Sequence, residues 1–444
     1  MARRLFGTDG VRGVAGELLT AELALALGRA ATFDAAAERP QVLIVRDTRE
    51  SGPMLEAALA AGVAGEGGDA LVAGVLPTPG ASVLVRRLGL DLAAVISASH
   101  NPWHDNGIKF FGSDGRKLGD EPEARIERSV SGAAPVDAPV SSSIGRIREL
   151  EGGTDDYLRE LERAFPLDLS GRRIVLDCAN GATARAAPEI FARLGADAVV
   201  LAAEPDGRNI NLGCGSTHPA ALAERVREAG AEIGFGFDGD GDRVVAVDSA
   251  GAVRDGDELI AIAAHHLAAT GRLAGGVAVT VMSNYGFHRA MDEAGIEVAT
   301  TAVGDRSVSA ELVAREWTLG GEQSGHLIWT DFAPTGDGIA AALLTLAALG
   351  DRRLAEVRPI ERLPQVLENV EVADRDAVDD AAAVWEAVDR EASALEGRGR
   401  VLIRPSGTEP LVRVMVEAPE ADEAEAVCAR LVEVVRTELA QPNR

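Results

Sequence analysis

Four short stretches of the chain concentrate residues that could do chemistry. In ISASHNPWHDNGIKFFG, residues 96–112, Ser99 follows a small apolar run, with His100 beside it and Lys109 ten residues on. In FDGDGDRVVAVD, residues 237–248, Asp238, Asp240 and Asp242 alternate with glycines between two apolar runs, and Arg243 follows. Glycines permit a tight turn that aims several carboxylates at one point. Hard oxygen ligands at that density suit Mg2+, which neutralises phosphoryl oxygens during transfer; the plain alternative is a solvated acidic turn. RPSGTEPLVRV, residues 404–414, offers Arg404, Ser406, Gly407, Thr408 and Arg413, a set complementary to a phosphate dianion unless the arginines are incidental to a turn. GGEQSGH, residues 320–326, places Glu322, Ser324 and His326 among glycines, a loop suited to sugar hydroxyls or simply a turn.

Lysine usage sharpens the first of these. Of 44 basic residues only Lys109 and Lys117 are lysines. Arginine stays protonated in proteins, whereas a lysine releases its proton when burial or a neighbouring cation lowers its pKa. Lys109, inside the serine motif, is therefore a candidate for proton transfer. Lys117 taken by itself reads as a survivor on a loop.

Two rival readings of the aspartates can be weighed. An EF-hand loop needs glycine at its sixth position and glutamate at its twelfth, where Arg243 and Ser249 stand. A haloacid-dehalogenase-like phosphotransferase would show Asp-x-Asp-x-Thr/Val after an apolar strand, and Asp240, Asp242 and Val244 match that locally. There an aspartate, not Ser99, is the nucleophile, and the local pattern leaves this open.

The elements that must position these groups follow from periodicity. Short β-branched runs such as QVLIVRDTR (41–49), RRIVLDCANG (172–181) and GVAVTVMSN (276–284) alternate with alanine-rich helical stretches, the pattern of α/β units. Polar residues follow each run, where open α/β sheets collect ligands. The 444 residues exceed one core, and joints are expected near 130–146, after 243–258 and near 362–372. The first three segments look like variations on one unit. The last reads as strand, helix (377–395), two strands flanking RPSGTEP, and helix (421–439).

The formal charge of −26 disfavours nucleic acid and a membrane surface over most of the molecule, leaving a small anion in a locally basic cleft. The beginning MARRLFGTDG lacks the apolar core of a secretory signal, and the apolar run 339–349 is too short to span a bilayer, so a cytoplasmic protein is expected. Cys178, Cys214 and Cys428 show neither disulfide nor metal-ligand spacing, and the seven histidines form no zinc motif.

SASHNP, NGIKF, DGDGDR, GEQSGH and RPSGTEP, in that order across nearly the whole chain, resemble the α-D-phosphohexomutase superfamily. FGTDGVRG (6–13), NINLGCGSTHP (209–219), VGDR (303–306) and GEQSGH resemble its bacterial phosphoglucosamine mutase branch. The resemblance implies an α/β, four-domain architecture around a central cleft: three related α/β domains (1–145, 146–250, 251–366) and a smaller C-terminal α+β domain (367–444). It implies that Ser99 carries the phosphoryl group and that Mg2+ is held by Asp238, Asp240, Asp242 and a phosphoserine oxygen, which removes the aspartyl-nucleophile rival.

The implied reaction interconverts glucosamine 6-phosphate and glucosamine 1-phosphate through glucosamine 1,6-bisphosphate, upstream of amino-sugar and cell-wall precursors. Lys109 would act as general acid/base with His100 assisting, and Arg12 and Arg243 would add cationic support. Glu322 and Ser324, in the loop with His326, would read sugar hydroxyls, helped by Asp305 and Arg306. The cradle from Arg404 to Arg413 would grip the phosphate that is not reacting. Relatives suggest a homodimer. Phosphomannomutase or phosphoglucomutase is the runner-up, and a non-catalytic sugar-phosphate-binding regulator the remote alternative.

Overall fold

Strands form where the apolar runs lie, and the three runs quoted above enter three different sheets. The protein is described by a computed structural model covering residues 5–7, 9–35, 37–132, 144–406 and 410–439. The first sheet has six strands in the order Val11–Val14, Asp105–Gly112, Leu92–Ile96, Gln41–Arg46, Asp69–Val75, Ile147–Glu149. Gln41–Arg46 pairs parallel with both neighbours, while Asp105–Gly112 runs antiparallel to Leu92–Ile96 with Lys109 opposite Val95. Leu92–Ile96 is buried along its whole length, which explains an unbroken apolar LAAVI where a half-exposed strand would alternate. Helices Ala21–Asp34 and Gly52–Gly65 supply Leu27, Ala31, Leu55 and Leu59 to the core shared with Val42, Ile44 and Ile96.

The second sheet has the order Val253–Arg254, Val244–Asp248, Ile233–Phe237, Arg173–Asp177, Asp197–Leu201. Ile233–Phe237 and Val244–Asp248 form a hairpin with Phe237 opposite Val244, so the aspartate motif is its turn. The third sheet has the order Val298–Thr301, Val277–Thr280, Leu319–Gly321, Leu327–Trp329, and its last two strands are a hairpin whose turn is GEQSGH without its first glycine. The apolar run 339–349 is the buried helix Gly338–Leu349, and among the described residues no helix is long and apolar enough to cross a membrane.

These three sheets belong to one compact unit, residues up to Met282 together with Ile296–Arg358. A second unit comprises Ser283–Gly295 and the chain from Pro359. Its antiparallel sheet runs Gln365–Glu371, Leu411–Glu417, Arg400–Pro405, and Val412, Val414 and Val416 pack against Val427, Leu431 and Val435 of helix Ala421–Leu439. The helix expected over 377–395 is divided into a 3-10 turn, Asp376–Asp380, and an α-helix, Ala382–Ala394. Helix Tyr285–Glu293 joins this unit although it lies in sequence between strands of the third sheet. Asn284 Nδ2 donates to the Leu363 carbonyl at 3.0 Å and the Tyr285 amide to Glu417 at 2.8 Å, long-range bonds that apolar periodicity does not reveal. All three cysteines are buried and free, and burial pushes their thiols up, Cys178 to about 12 and Cys214 and Cys428 to about 11.

Candidate active site

Ser99 stands three residues beyond strand Leu92–Ile96, where the chain leaves the sheet at its carboxyl end. Its φ of +52° is left-handed, a region that a residue with a Cβ rarely occupies. Its hydroxyl is buried, donates to Asp238 Oδ2 at 2.5 Å, and lies 3.4 Å from His100 Nδ1. The aspartate turn comes this close because residue 239 is glycine: a Cβ there would stand 2.5 Å from the Ser99 carbonyl oxygen.

Asp238, Asp240 and Asp242 are all buried, and one carboxylate oxygen from each lies within 4.8 Å of the others. Burial, and then the charges of Asp242 and Asp240, push the Asp238 carboxyl well above the usual range. Oδ1 of Asp240 is buried without a hydrogen-bond donor. A cluster of mutually repelling, under-satisfied hard oxygens fits a divalent cation such as Mg2+. The other oxygen of Asp240 accepts from Lys109 Nζ at 2.8 Å and from Thr78 Oγ1 at 2.6 Å.

Lys109 is buried, and burial alone would lower its pKa; Asp240 and Asp9 outweigh that and raise it. The lysine expected from the sequence to exchange a proton is thus paired with carboxylates that raise its pKa, Asp240 at 2.8 Å and Asp242 at 3.7 Å among them. His100 moves the other way: burial and the cations Arg243 and Arg12 lower its pKa, leaving a neutral imidazole beside the hydroxyl. Arg12 pairs with Asp9, and Arg243 donates its amide to Asp238 Oδ1 at 3.1 Å with its guanidinium 3.8 Å from Asp242.

Lys117 is no loop survivor. Its ammonium bonds both Asp9, of the FGTDG segment, and Asp305, the first residue of helix Asp305–Arg315. His326, also buried, spans Asp242 (3.6 Å) and Asp305 (3.8 Å). It therefore joins two carboxylates of the site, and with Asp305 and Arg306 it lines a cavity. Arg306 reaches Asp120 and Glu123 of helix Asp120–Val130 at 2.7 and 2.8 Å. Glu322 accepts the Gly304 amide at 3.1 Å, and Ser324 is exposed at the tip of its turn. Gly325, at φ +91°, seats this turn on the aspartate hairpin: the Val244 amide donates to its carbonyl at 3.1 Å, and a Cβ would meet Val244 O at 2.1 Å.

In the second unit Arg404 and Arg413 face each other across adjacent strands. Burial and the Arg413 charge lower the pKa of Arg404. Like charges directly opposed across a sheet are unfavourable. Buried Ser406 donates its amide to the Leu411 carbonyl at 2.9 Å, and its own carbonyl accepts from Arg375 at 2.5 Å. Gly407 and Thr408 lie outside the described residues.

Four family models describe the chain in succession: phosphoglucomutase/phosphomannomutase domain I over residues 3–135, domain II over 155–251, domain III over 255–364 and the C-terminal domain over 367–434. A phosphoglucosamine mutase from Desulforudis audaxviator is 51% identical over 440 residues, 97% of each chain. The chain belongs to the phosphoglucosamine mutase family. Among solved structures, a phosphoglucomutase/phosphomannomutase family protein from Burkholderia thailandensis superimposes with TM-score 0.83 at 24% identity, covering 99% of this chain and 98% of the other. The N-acetylphosphoglucosamine mutase of Aspergillus fumigatus, solved with GlcNAc-6P and magnesium, gives 0.69 at 18% identity, covering 98% and 96%. Both share the fold.

This family member also uses residues that the motifs did not single out. Asp47 and Arg49, at the end of QVLIVRDTR, reach under the serine loop, and Asn211, within NINLGCGSTHP, donates to the Ser99 carbonyl at 2.9 Å. Thr78 binds Asp240 through both its hydroxyl and its amide. The signal available was position: Asp47 and Arg49 follow a buried parallel strand directly, where α/β sheets assemble sites.

Proposed function

We propose that this chain interconverts glucosamine 6-phosphate and glucosamine 1-phosphate, with Ser99 as the phosphoryl carrier and glucosamine 1,6-bisphosphate as the intermediate. The observation that carries the reading is Ser99 Oγ at 2.5 Å from Asp238, one of three clustered buried carboxylates. In one half-reaction the phosphorus–oxygen bond to Ser99 breaks and a new one forms to the free sugar hydroxyl. The hydroxyl loses its proton and Ser99 Oγ gains one; the second half-reaction reverses this at the other end of the sugar. Nothing is consumed overall.

Asp238, Asp240 and Asp242 would hold Mg2+, which when bound supplies positive charge that stabilises the group in transfer. Lys109, whose ammonium lies 2.8 Å from Asp240, would carry the proton between the reacting oxygens, with His100 orienting Oγ. Arg243 and Arg12 add cationic support. Glu322 and Ser324 would read sugar hydroxyls, and His326, Asp305 and Arg306 would help to bind the substrate. Arg404, Ser406, Gly407, Thr408 and Arg413 would hold the non-reacting phosphate, so that remote binding energy positions the sugar.

Phosphorus NMR tests the reading. Enzyme with Mg2+ and a trace of hexose 1,6-bisphosphate is given glucosamine, mannose or glucose 6-phosphate in separate tubes. The 1-phosphate is expected to form fastest from the glucosamine ester; preference for mannose or glucose would move the chain to the phosphomannomutase/phosphoglucomutase branch.

A further inference from the structure

Arg49 has no exposed surface, and all five of its side-chain N–H bonds have partners. Nε donates to Asp47 Oδ2 at 2.8 Å. Nη1 donates to the carbonyls of Pro102 and Asp105, the latter at 2.9 Å. Nη2 donates to the carbonyls of Ser99 and Asn101, both at 2.8 Å. One guanidinium therefore holds four carbonyls of the loop that carries the nucleophile.

The same ion pair holds the other side of the serine. The Ser99 amide donates to Ser97 Oγ at 2.9 Å, and Ser97 Oγ donates to Asp47 Oδ2 at 2.6 Å. From the second sheet's side, Asn211 Nδ2 donates to the same Ser99 and Asn101 carbonyls at 2.9 and 3.1 Å. Ser99 sits at φ +52°, a conformation that persists in a non-glycine residue only when its surroundings over-determine it. Relaxation to negative φ would turn Oγ away from Asp238.

We propose that Arg49 is a positioning residue for phosphoryl transfer: it holds Ser99 left-handed, with its hydroxyl on the aspartate cluster, while touching no substrate. This rests on the mutase reading above. Lysine cannot replace it, because three donors on a single nitrogen do not span four carbonyls and a carboxylate.

The test compares full-length wild type, Arg49→Lys and Asn211→Ala for thermal midpoint, kcat and KM with glucosamine 6-phosphate. If Arg49 positions Ser99, Arg49→Lys lowers kcat per folded molecule by about 10²-fold, the loss expected for a misplaced reacting group, and leaves KM near wild type. A purely structural role would lower the midpoint and leave kcat per folded molecule unchanged, which overturns the proposal. Should Arg49→Lys not fold, Asn211→Ala loosens the same two carbonyls, and an unchanged kcat in that folded variant overturns it equally. Wild type inactive on all three hexose 6-phosphates would defeat the mutase reading instead, whereas active wild type with fully active variants defeats this inference alone.

Discussion

Lys109 Nζ lies 2.8 Å from Asp240 Oδ2, with both side chains out of solvent. The pair couples the proton-carrying candidate of the first sheet to a metal-ligand candidate of the second. Lys109→Arg should keep the charge, lose the proton exchange and reduce kcat by about 10²- to 10⁴-fold, the range for a general acid/base. Steady-state rates check this, and near-normal turnover would refute the proton-transfer role.

Lys117 joins Asp9 and Asp305, and its charge, with that of Lys109 and Arg12, holds the Asp9 carboxyl well below its usual range despite burial. Lys117→Met would leave two half-buried carboxylates without their bridging cation. A loss of about 1–3 kcal/mol is expected in urea unfolding, less than for a fully buried pair because water reaches both carboxylates. A Met variant as stable as wild type would show that the bridge contributes nothing.

The repulsion among Asp238, Asp240 and Asp242 makes a cation a stabiliser of the fold as well as of the reaction. Chelation should abolish turnover and lower the thermal midpoint, and Mg2+ should restore both. Asp242→Asn should weaken the Mg2+-dependent rise in midpoint. An equal rise in wild type and variant would place the ion elsewhere.

His288, in the second unit, carries a pH dependence of its own. Burial and then the Arg400 charge push its pKa down from 6.5 to about 4. The unfolded chain takes up that proton at higher pH than the folded unit, so stability is present above 6.5 and is lost as the solution is acidified towards about 4. Near pH 5 the loss is on the order of 2 kcal/mol, about one and a half pKa units of unfolded-state protonation. Denaturant unfolding of His288→Gln should show a flatter acid limb than wild type; identical limbs would exclude this group.

The legible part of the molecule was the part written locally. Hairpin turns and strand ends are contiguous in sequence, so DGDGDR and GEQSGH announced their turns, and DGDGDR its carboxylate cluster. Arg49 was not legible as a holder of Ser99, because its meaning lies in carbonyls some fifty residues away, and nothing in RDTR shows them. Lys117 was hidden for the same reason, its partners standing in two other segments. Pairings between segments were hidden too: Arg306 pairs with Asp120 and Glu123, and His326 lies between two aspartates. The helix after residue 376 was placed correctly in kind and too long by one 3-10 turn.

The proposed mutase reaction depends on Ser99 as the phosphoryl carrier. Enzyme loaded with radiolabelled phosphate from a hexose 1,6-bisphosphate is digested and its peptides mapped. Acid-stable label is expected on the peptide containing Ser99, discharged on adding glucosamine 6-phosphate with Mg2+ and missing in Ser99→Ala. Acid-labile label on the peptide containing Asp238, Asp240 and Asp242 would contradict that role and make an aspartate the nucleophile.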